Sequence, residues 1–235
     1  MIKKEGNNVY WFVPGRAVPF LVNKAKQKRK IFLEKKSSKP EHADFSLICN
    51  NCIAGAFYHD YGLEFKSPFI DVFIESDDFF KLMRNFKHYI IDVKKMVDIT
   101  GKNDFCPVGL LGDIKIRFVH YKDFSTASEK WFARAKRINF DHLFFLMSDI
   151  DWDGKAFSKF VNKSQLEDFL NENKTNFIFV TNDLEKKQMK NNNVVFLKKY
   201  ANNKPFYFGA LELFGRGRTC LERYFDVANW INQNY

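Results

Sequence analysis

Cys52 follows Asn50 and Asn51 in the run Phe45 to Ile74, FSLICNNCIAGAFYHDYGLEFKSPFIDVFI, which opens as a hydrophobic strand and restarts as a helix ending near Gly62. A thiol at a helix start gains from the helix dipole and neighbouring amides, which favour its thiolate. With His120 or His59 as base, Cys52 would act as a covalent nucleophile. Asn50 and Asn51 would donate to a developing oxyanion or bind sugar hydroxyls. The competing reading is a small buried thiol at a tight turn, with both asparagines satisfying turn backbone.

A second constellation is acidic. Asp149-Ile150-Asp151-Trp152-Asp153-Gly154 follows the apolar strand LFFLM. An Asp-x-Asp at a strand end is similar to the metal-binding signature of GT-A glycosyltransferases, in which paired carboxylates hold Mg²⁺ or Mn²⁺ against a leaving diphosphate. Asp149, Asp151 and Asp153 are the candidate metal ligands. A calcium loop is excluded, because its twelfth position needs Glu and Phe160 stands there. The alternative is a solvated Asp-Gly turn. Arg134 and Arg137, three apart on a helix, share a face and are placed to clamp a phosphate. Surrounding Lys130 and Lys136 favour the plainer reading of a solvated basic face.

Other patterns carry less. Cys49-x-x-Cys52 has a strand residue as its first member, so Cys49 is expected to point into the core. Cys106 and Cys220 are solitary and do not complete a structural zinc site. There is no P-loop, and Gly109-Leu110-Leu111-Gly112 lacks the dinucleotide-binding pattern. His42, His88 and His142 read as structural. Gly215-Arg216-Gly217-Arg218 reads as a basic surface loop.

The elements that must position these residues alternate. Strands are predicted near Phe45–Cys49, Ile114–His120, Leu143–Met147, Phe177–Thr181 and Val194–Leu197, with Phe69–Ile74 a sixth candidate. Helix starts are predicted at Ser76 with Asp77 and Asp78, at a capping box Thr126-x-x-Glu129, and at another, Ser164-x-x-Glu167. The last helix spans about Cys220 to Gln233. Such alternation predicts a Rossmann-like α/β domain, a mostly parallel sheet with helices on both faces. The carboxyl ends of its strands would share one edge, where ligands bind. Reading the exits in turn brings together Asn50, Asn51 and Cys52, then His120 and Tyr121, then Asp149, Asp151 and Asp153. Cys52, His120 and Asp151 are therefore the catalytic candidates, with Asn50, Asn51, Tyr121, Arg134 and Arg137 as binding candidates.

The net charge of +10 is unevenly spread. Residues 1–40 hold 11 Lys and Arg against Glu5 and Glu34, while the rest of the 235 residues hold 27 basic against 26 acidic groups. A nearly neutral body argues against a broad nucleic-acid surface. The basic segment 1–40 is read as an arm before an α/β domain of residues 41–235, with a boundary at Ser37-Ser38-Lys39-Pro40. Pro14, Gly15, Arg16 and Pro19 interrupt its apolar part, which is too broken for a membrane span or a signal-peptide core. The arm is expected either to meet an anionic membrane surface or to dock on the domain through Leu21, Ala25 and Phe32. Four irregularly spaced Cys agree with reduced thiols and a cytoplasmic location, peripheral on the inner membrane face if the arm meets lipid.

Several of these stretches also carry a resemblance. Asn50-Asn51-Cys52-Ile53-Ala54-Gly55, Gly62-Leu63, Ser67-Pro68-Phe69-Ile70, the stretch Asp113 to Tyr121, Lys130-Trp131, Arg137-Ile138-Asn139, Asp153-Gly154 and Phe225-Asp226 with Trp230-Ile231-Asn232 occur in one order. The chain resembles bacterial proteins of unknown function often labelled exopolysaccharide biosynthesis proteins. It departs from their pattern at Ile53 and Ala54, where they carry Trp and Gly. The resemblance implies a role in surface-polysaccharide synthesis. Joined to the acidic turn, it leads to the expectation of a transferase acting on a nucleotide sugar or lipid-linked sugar. The alternatives are a Cys-nucleophile acyl transferase or hydrolase, and a non-catalytic glycan-binding or assembly partner.

Overall fold

A computed structural model describes residues 3–5, 8–10, 19–149, 163–172, 176–184, 186–189, 191–198, 217–219 and 221–235. In chain order the elements are β1 Lys3–Glu5, β2 Asn8–Tyr10, α1 Pro19–Lys35, β3 Ser46–Cys49, α2 Ile53–Asp60, α3 Ser76–Arg84, β4 Met96–Asp98, β5 Val108–Leu111, β6 Ile114–Arg117, α4 Phe124–Ala135, β7 Leu143–Ser148, α5 Lys163–Glu172, β8 Phe177–Thr181, β9 Val194–Phe196 and α6 Val227–Asn234.

The runs SLIC, LFFLMS and FIFVT are almost wholly buried, as strands covered on both faces must be. They form a parallel sheet of order β3-β7-β8-β9. Because strand side chains alternate, Ile48, Phe145, Met147 and Phe179 face one side, while Leu47, Cys49, Leu146 and Val180 face the other. Within the sheet these strands neighbour one another in the order the chain forms them, so right-handed crossovers carry most of their connecting helices over one face, with α2 left on the other. That face carries α3, α4 and α5 together with the second sheet. The opposite face is closed by α2 and α6, through Tyr58, Ala228 and Ile231.

The fold is thus mixed α/β, as expected, but its described strands divide between this parallel sheet, an antiparallel three-stranded sheet and the separate antiparallel pair β1–β2. The segment predicted as Ile114–His120 is β6 of an antiparallel sheet ordered β4-β5-β6, not a member of the parallel one. Its tight connection at Gly112, where φ is +62°, allows the β5–β6 hairpin that forces antiparallel pairing. The sixth candidate strand, Phe69–Ile74, reduces to a single bridge in which Phe73 and Arg117 exchange backbone hydrogen bonds of 2.8 and 2.9 Å. Proline at 68 and a left-handed Asp71 prevent an extended ladder there. The bridge nevertheless fastens the second sheet to the loop beyond α2.

Local signals account for three helix ends. At the start of α4 Asp123 is the cap, accepting from the Thr126 amide at 2.8 Å and the Thr126 hydroxyl at 3.1 Å, so the helix begins earlier than the proposed Thr126 box. Gly62, at φ +64°, follows the last turn of α2. The last helix divides into a short 3₁₀ turn, Leu221–Arg223, and α6, which Asp226 caps through the Asn229 amide.

Among the described residues β3 has a strand partner on one side, and side chains bond to its other side. The Tyr58 hydroxyl accepts from the Leu47 amide at 2.9 Å and donates to the Phe45 carbonyl at 3.1 Å. Ser67 Oγ donates to the Leu47 carbonyl at 3.0 Å. An edge so satisfied is no template for a further strand.

Candidate functional site

The carboxyl end of β3 is bound to its neighbour by Asn50. Its side-chain amide donates to the Ser148 carbonyl at 2.8 Å and the Ile74 carbonyl at 3.4 Å, and its oxygen accepts from the Ser148 amide at 3.0 Å. The residue has no exposed surface. Asn50 thus extends the β3–β7 ladder with its side chain. Asn51 Oδ1 accepts from the Ile53 amide at 3.1 Å, satisfying a first-turn donor of α2, and its amide group donates to Asn50. Both asparagines are used within the fold rather than offered to a ligand.

Cys52, next in the chain, is half-buried and points elsewhere. Its sulfur donates weakly to the Val72 carbonyl at 3.9 Å. Val72 follows Asp71, whose φ of 59° is left-handed, a conformation Asp tolerates better than most residues. The Tyr121 hydroxyl donates to the Ile70 carbonyl at 3.4 Å, and the Phe73–Arg117 bridge holds the other side. Gly55 admits this turn against α2: a Cβ there would lie 3.2 Å from Ile70 Cγ2 and 3.5 Å from Asp71 Oδ1.

This turn brings Asp71 beside Cys52. His120, exposed beyond the end of β6, completes a cluster in which thiol, carboxylate and imidazole atoms all lie within 4.8 Å of one another. Two of the three, Cys52 and His120, are legible as a pair in sequence. Asp71 is not. Its one sequence signal is an acidic residue directly after Ser67-Pro68-Phe69-Ile70 in an otherwise apolar stretch. Burial pushes the Cys52 thiol up to about 12, and the Asp71 carboxylate adds to the rise. These effects outweigh the helix dipole from which a lowered value was expected.

The other candidates separate. Arg134 Nη1 donates to the Tyr121 hydroxyl at 2.6 Å, and its guanidinium lies over Phe65, 4.9 Å from the ring centre. Burial raises the Tyr121 phenol, and Arg134 opposes that rise. Tyr121 and Arg134 therefore brace the turn that carries Asp71. Arg137 turns aside to Glu64 at 3.5 Å, so the two arginines do not form one clamp. Asp149 is fully buried, its Oδ2 accepting from Thr181 Oγ1 at 2.7 Å and Lys186 Nζ at 3.0 Å. Burial raises its carboxyl, with Lys186 and Thr181 acting against the rise. Asp151, Asp153, Gly215, Arg216 and Cys220 lie outside the described residues. Cys49 sits in the core facing α2, as its strand position implies, and Cys49, Cys52 and Cys106 are free thiols.

The basic arm is tied down at its end. Arg29 in α1 bonds Asp60 at 2.5 Å and Glu222 at 2.6 Å, and Lys36 reaches Asp226 at 2.9 Å. Among the described residues, no helix is long and apolar enough to cross a membrane.

Fold and site together define a mixed α/β protein with a thiol–carboxylate–imidazole cluster near the carboxyl end of its first parallel strand. The chain belongs to the family described as Domain of unknown function (DUF1919), whose profile matches residues 23–232. It is also similar to a Haemophilus influenzae chain described as "Uncharacterized protein", at 35% identity over 106 residues, 45% of this chain and 50% of that one. The match spans about half the length of that curated relative.

Proposed function

We propose that this protein is an enzyme of bacterial surface-polysaccharide synthesis that transfers a group from a nucleotide sugar or lipid-linked sugar, with its reaction centre at Cys52, Asp71 and His120. The pathway is supported by the resemblance of the ordered motifs. The parallel sheet supports a Rossmann-like reading of the domain. The observation that carries the enzymatic part is the convergence of three chemically competent side chains, within 4.8 Å, from three separate segments. A merely structural Cys needs no such company, and perturbed groups gathered with a partner charge mark functional sites. A second reading draws on the same proximity: Cys52 as covalent nucleophile and His120 as base, in acyl transfer or hydrolysis.

Thermal-shift screening tests the proposal, since a ligand specific to the folded state raises Tm by mass action. UDP-, GDP-, CDP- and dTDP-sugars are compared with free oligosaccharides, on the native chain and on His120→Ala. Stabilisation by a nucleotide sugar, reduced in the variant, is the expected result. Stabilisation by glycans alone would overturn the transferase in favour of a binding module. Turnover of an activated acyl ester that labels Cys52 would favour the second reading.

A further inference from the structure

We infer that Cys52, Asp71 and His120 form a three-ligand site for a zinc-class divalent cation, with a fourth position open to solvent and substrate. The inference rests on the reading of this cluster as the reaction centre, and names what the centre holds. Three observations lead to it. The first is spacing. Ligand bonds of about 2.0–2.3 Å in tetrahedral geometry put donor atoms roughly 3.3–3.8 Å apart. The three donors already lie within 4.8 Å of one another, so a small contraction closes the site.

The second observation is how these atoms are used. Among the described residues no hydrogen bond joins the three side chains to one another, and the sulfur has only its weak 3.9 Å contact with the Val72 carbonyl. Donors that converge to within 4.8 Å without bonding one another leave room for an ion between them. The third is support. The Asp71 turn is held on both sides, through Tyr121 to the Ile70 carbonyl and through the Phe73–Arg117 bridge, while Cys52 is fixed at the head of α2. His120 is exposed, which leaves an access side and a ligand free to swing inward.

The donor set selects the metal. One thiolate, one imidazole and one carboxylate suit zinc, and three protein ligands with a free position are the pattern of catalytic rather than structural zinc. Mg²⁺ and Mn²⁺, which prefer oxygen, fit this set poorly. Binding is an exchange: the sulfur–metal bond forms as the S–H bond breaks, and the proton leaves to solvent. The open position then takes water or a substrate oxygen, which the cation polarises.

The test uses the full chain stripped with EDTA and titrated with Co²⁺ and Zn²⁺. The expected results are one ion per chain, a thiolate-to-cobalt charge-transfer band, displacement of cobalt by zinc, and release of a proton that makes binding tighter at higher pH. Cys52→Ser should abolish the charge-transfer band. Asp71→Asn and His120→Ala should each weaken affinity by at least about tenfold, whereas Cys106→Ser should change neither. His120 is exposed, so its variant is expected to fold, and thermal unfolding checks this. No stoichiometric ion, or a band that survives Cys52→Ser, overturns the inference. If no ion binds yet a thiol-directed probe labels Cys52 in a His120-dependent way, the metal fails while the cluster remains the reaction centre. If neither occurs, both readings fail.

Discussion

At the scale of single residues, the fate of Cys52 turns on which of two opposed effects is larger. The start of α2 favours a thiolate, by an amount on the order of 1 kcal/mol or less for an exposed charge. Burial and the adjacent Asp71 carboxylate favour the thiol and hold it near 12. In metal-free protein, alkylation of Cys52 should therefore be slow at neutral pH and rise about tenfold per pH unit through pH 9 without a plateau, because the thiolate is the reactive form. Asp71→Asn removes the like charge while keeping a side chain that tolerates φ of 59°, so it should speed the labelling. A plateau near pH 8.5, measured by mass spectrometry of the labelled peptide, would mean an ordinary thiol and would discard this account.

The elements explain why so many motif residues have structural tasks. Among the described residues β3 pairs with β7 alone, and Tyr58, Ser67 and Asn50 supply from side chains hydrogen bonds of the kind a neighbouring strand, or a longer β7, would make. Tyr58→Phe keeps the ring packing but leaves the Leu47 amide and Phe45 carbonyl buried without that partner. It should cost about 1–3 kcal/mol, read as a lower urea midpoint with an unchanged m-value. An unchanged midpoint would show that the edge is satisfied in some other way. The positive charge of α1 also changes meaning at this scale. Arg29 and Lys36, counted in sequence among the basic residues of an arm expected either to meet a membrane or to dock on the domain, point inward at carboxylates.

For the whole molecule, these contacts tie the amino-terminal helix to the carboxyl-terminal segment. Burial alone would lower the Arg29 guanidinium, but Glu222 and Asp60 outweigh it and keep the charge in place. Arg29→Ala strands two carboxylates in a largely buried site and should destabilise the fold by about 3 kcal/mol. Arg29→Lys should recover part of this, since an ammonium cannot serve both partners with a planar fork. Acid should loosen the same junction. Burial would raise the Asp226 carboxyl, yet hydrogen bonds from Ser38 and Lys36 carry it below the usual value. A folded-state pKa below the unfolded one gives stability that is complete above about pH 4 and lost as pH falls through the lower folded value. Hydrogen exchange in α1 and residues 36–41 should therefore accelerate below pH 4 before the sheet amides do. Simultaneous loss of both would show that the junction has no separate stability.

The sequence by itself determined whatever depends on neighbours a few residues apart. Unbroken apolar runs specified buried parallel strands, Gly62 marked a helix end, and the strand position of Cys49 implied its place in the core. Cys52 and His120 were recognisable because thiols and imidazoles are scarce and stood after strands. The tertiary structure decided how they meet. His120 arrives from an antiparallel sheet rather than a parallel strand exit, and Asp71 enters through a left-handed turn braced by Tyr121, Arg134 and the Phe73–Arg117 bridge. The partners of Arg29 lie 31 and 193 residues away. Periodicity and turn chemistry encode contacts within a turn or a strand. The meeting of distant segments is set by how the parallel and antiparallel sheets and their crossovers pack together, and no local pattern records that.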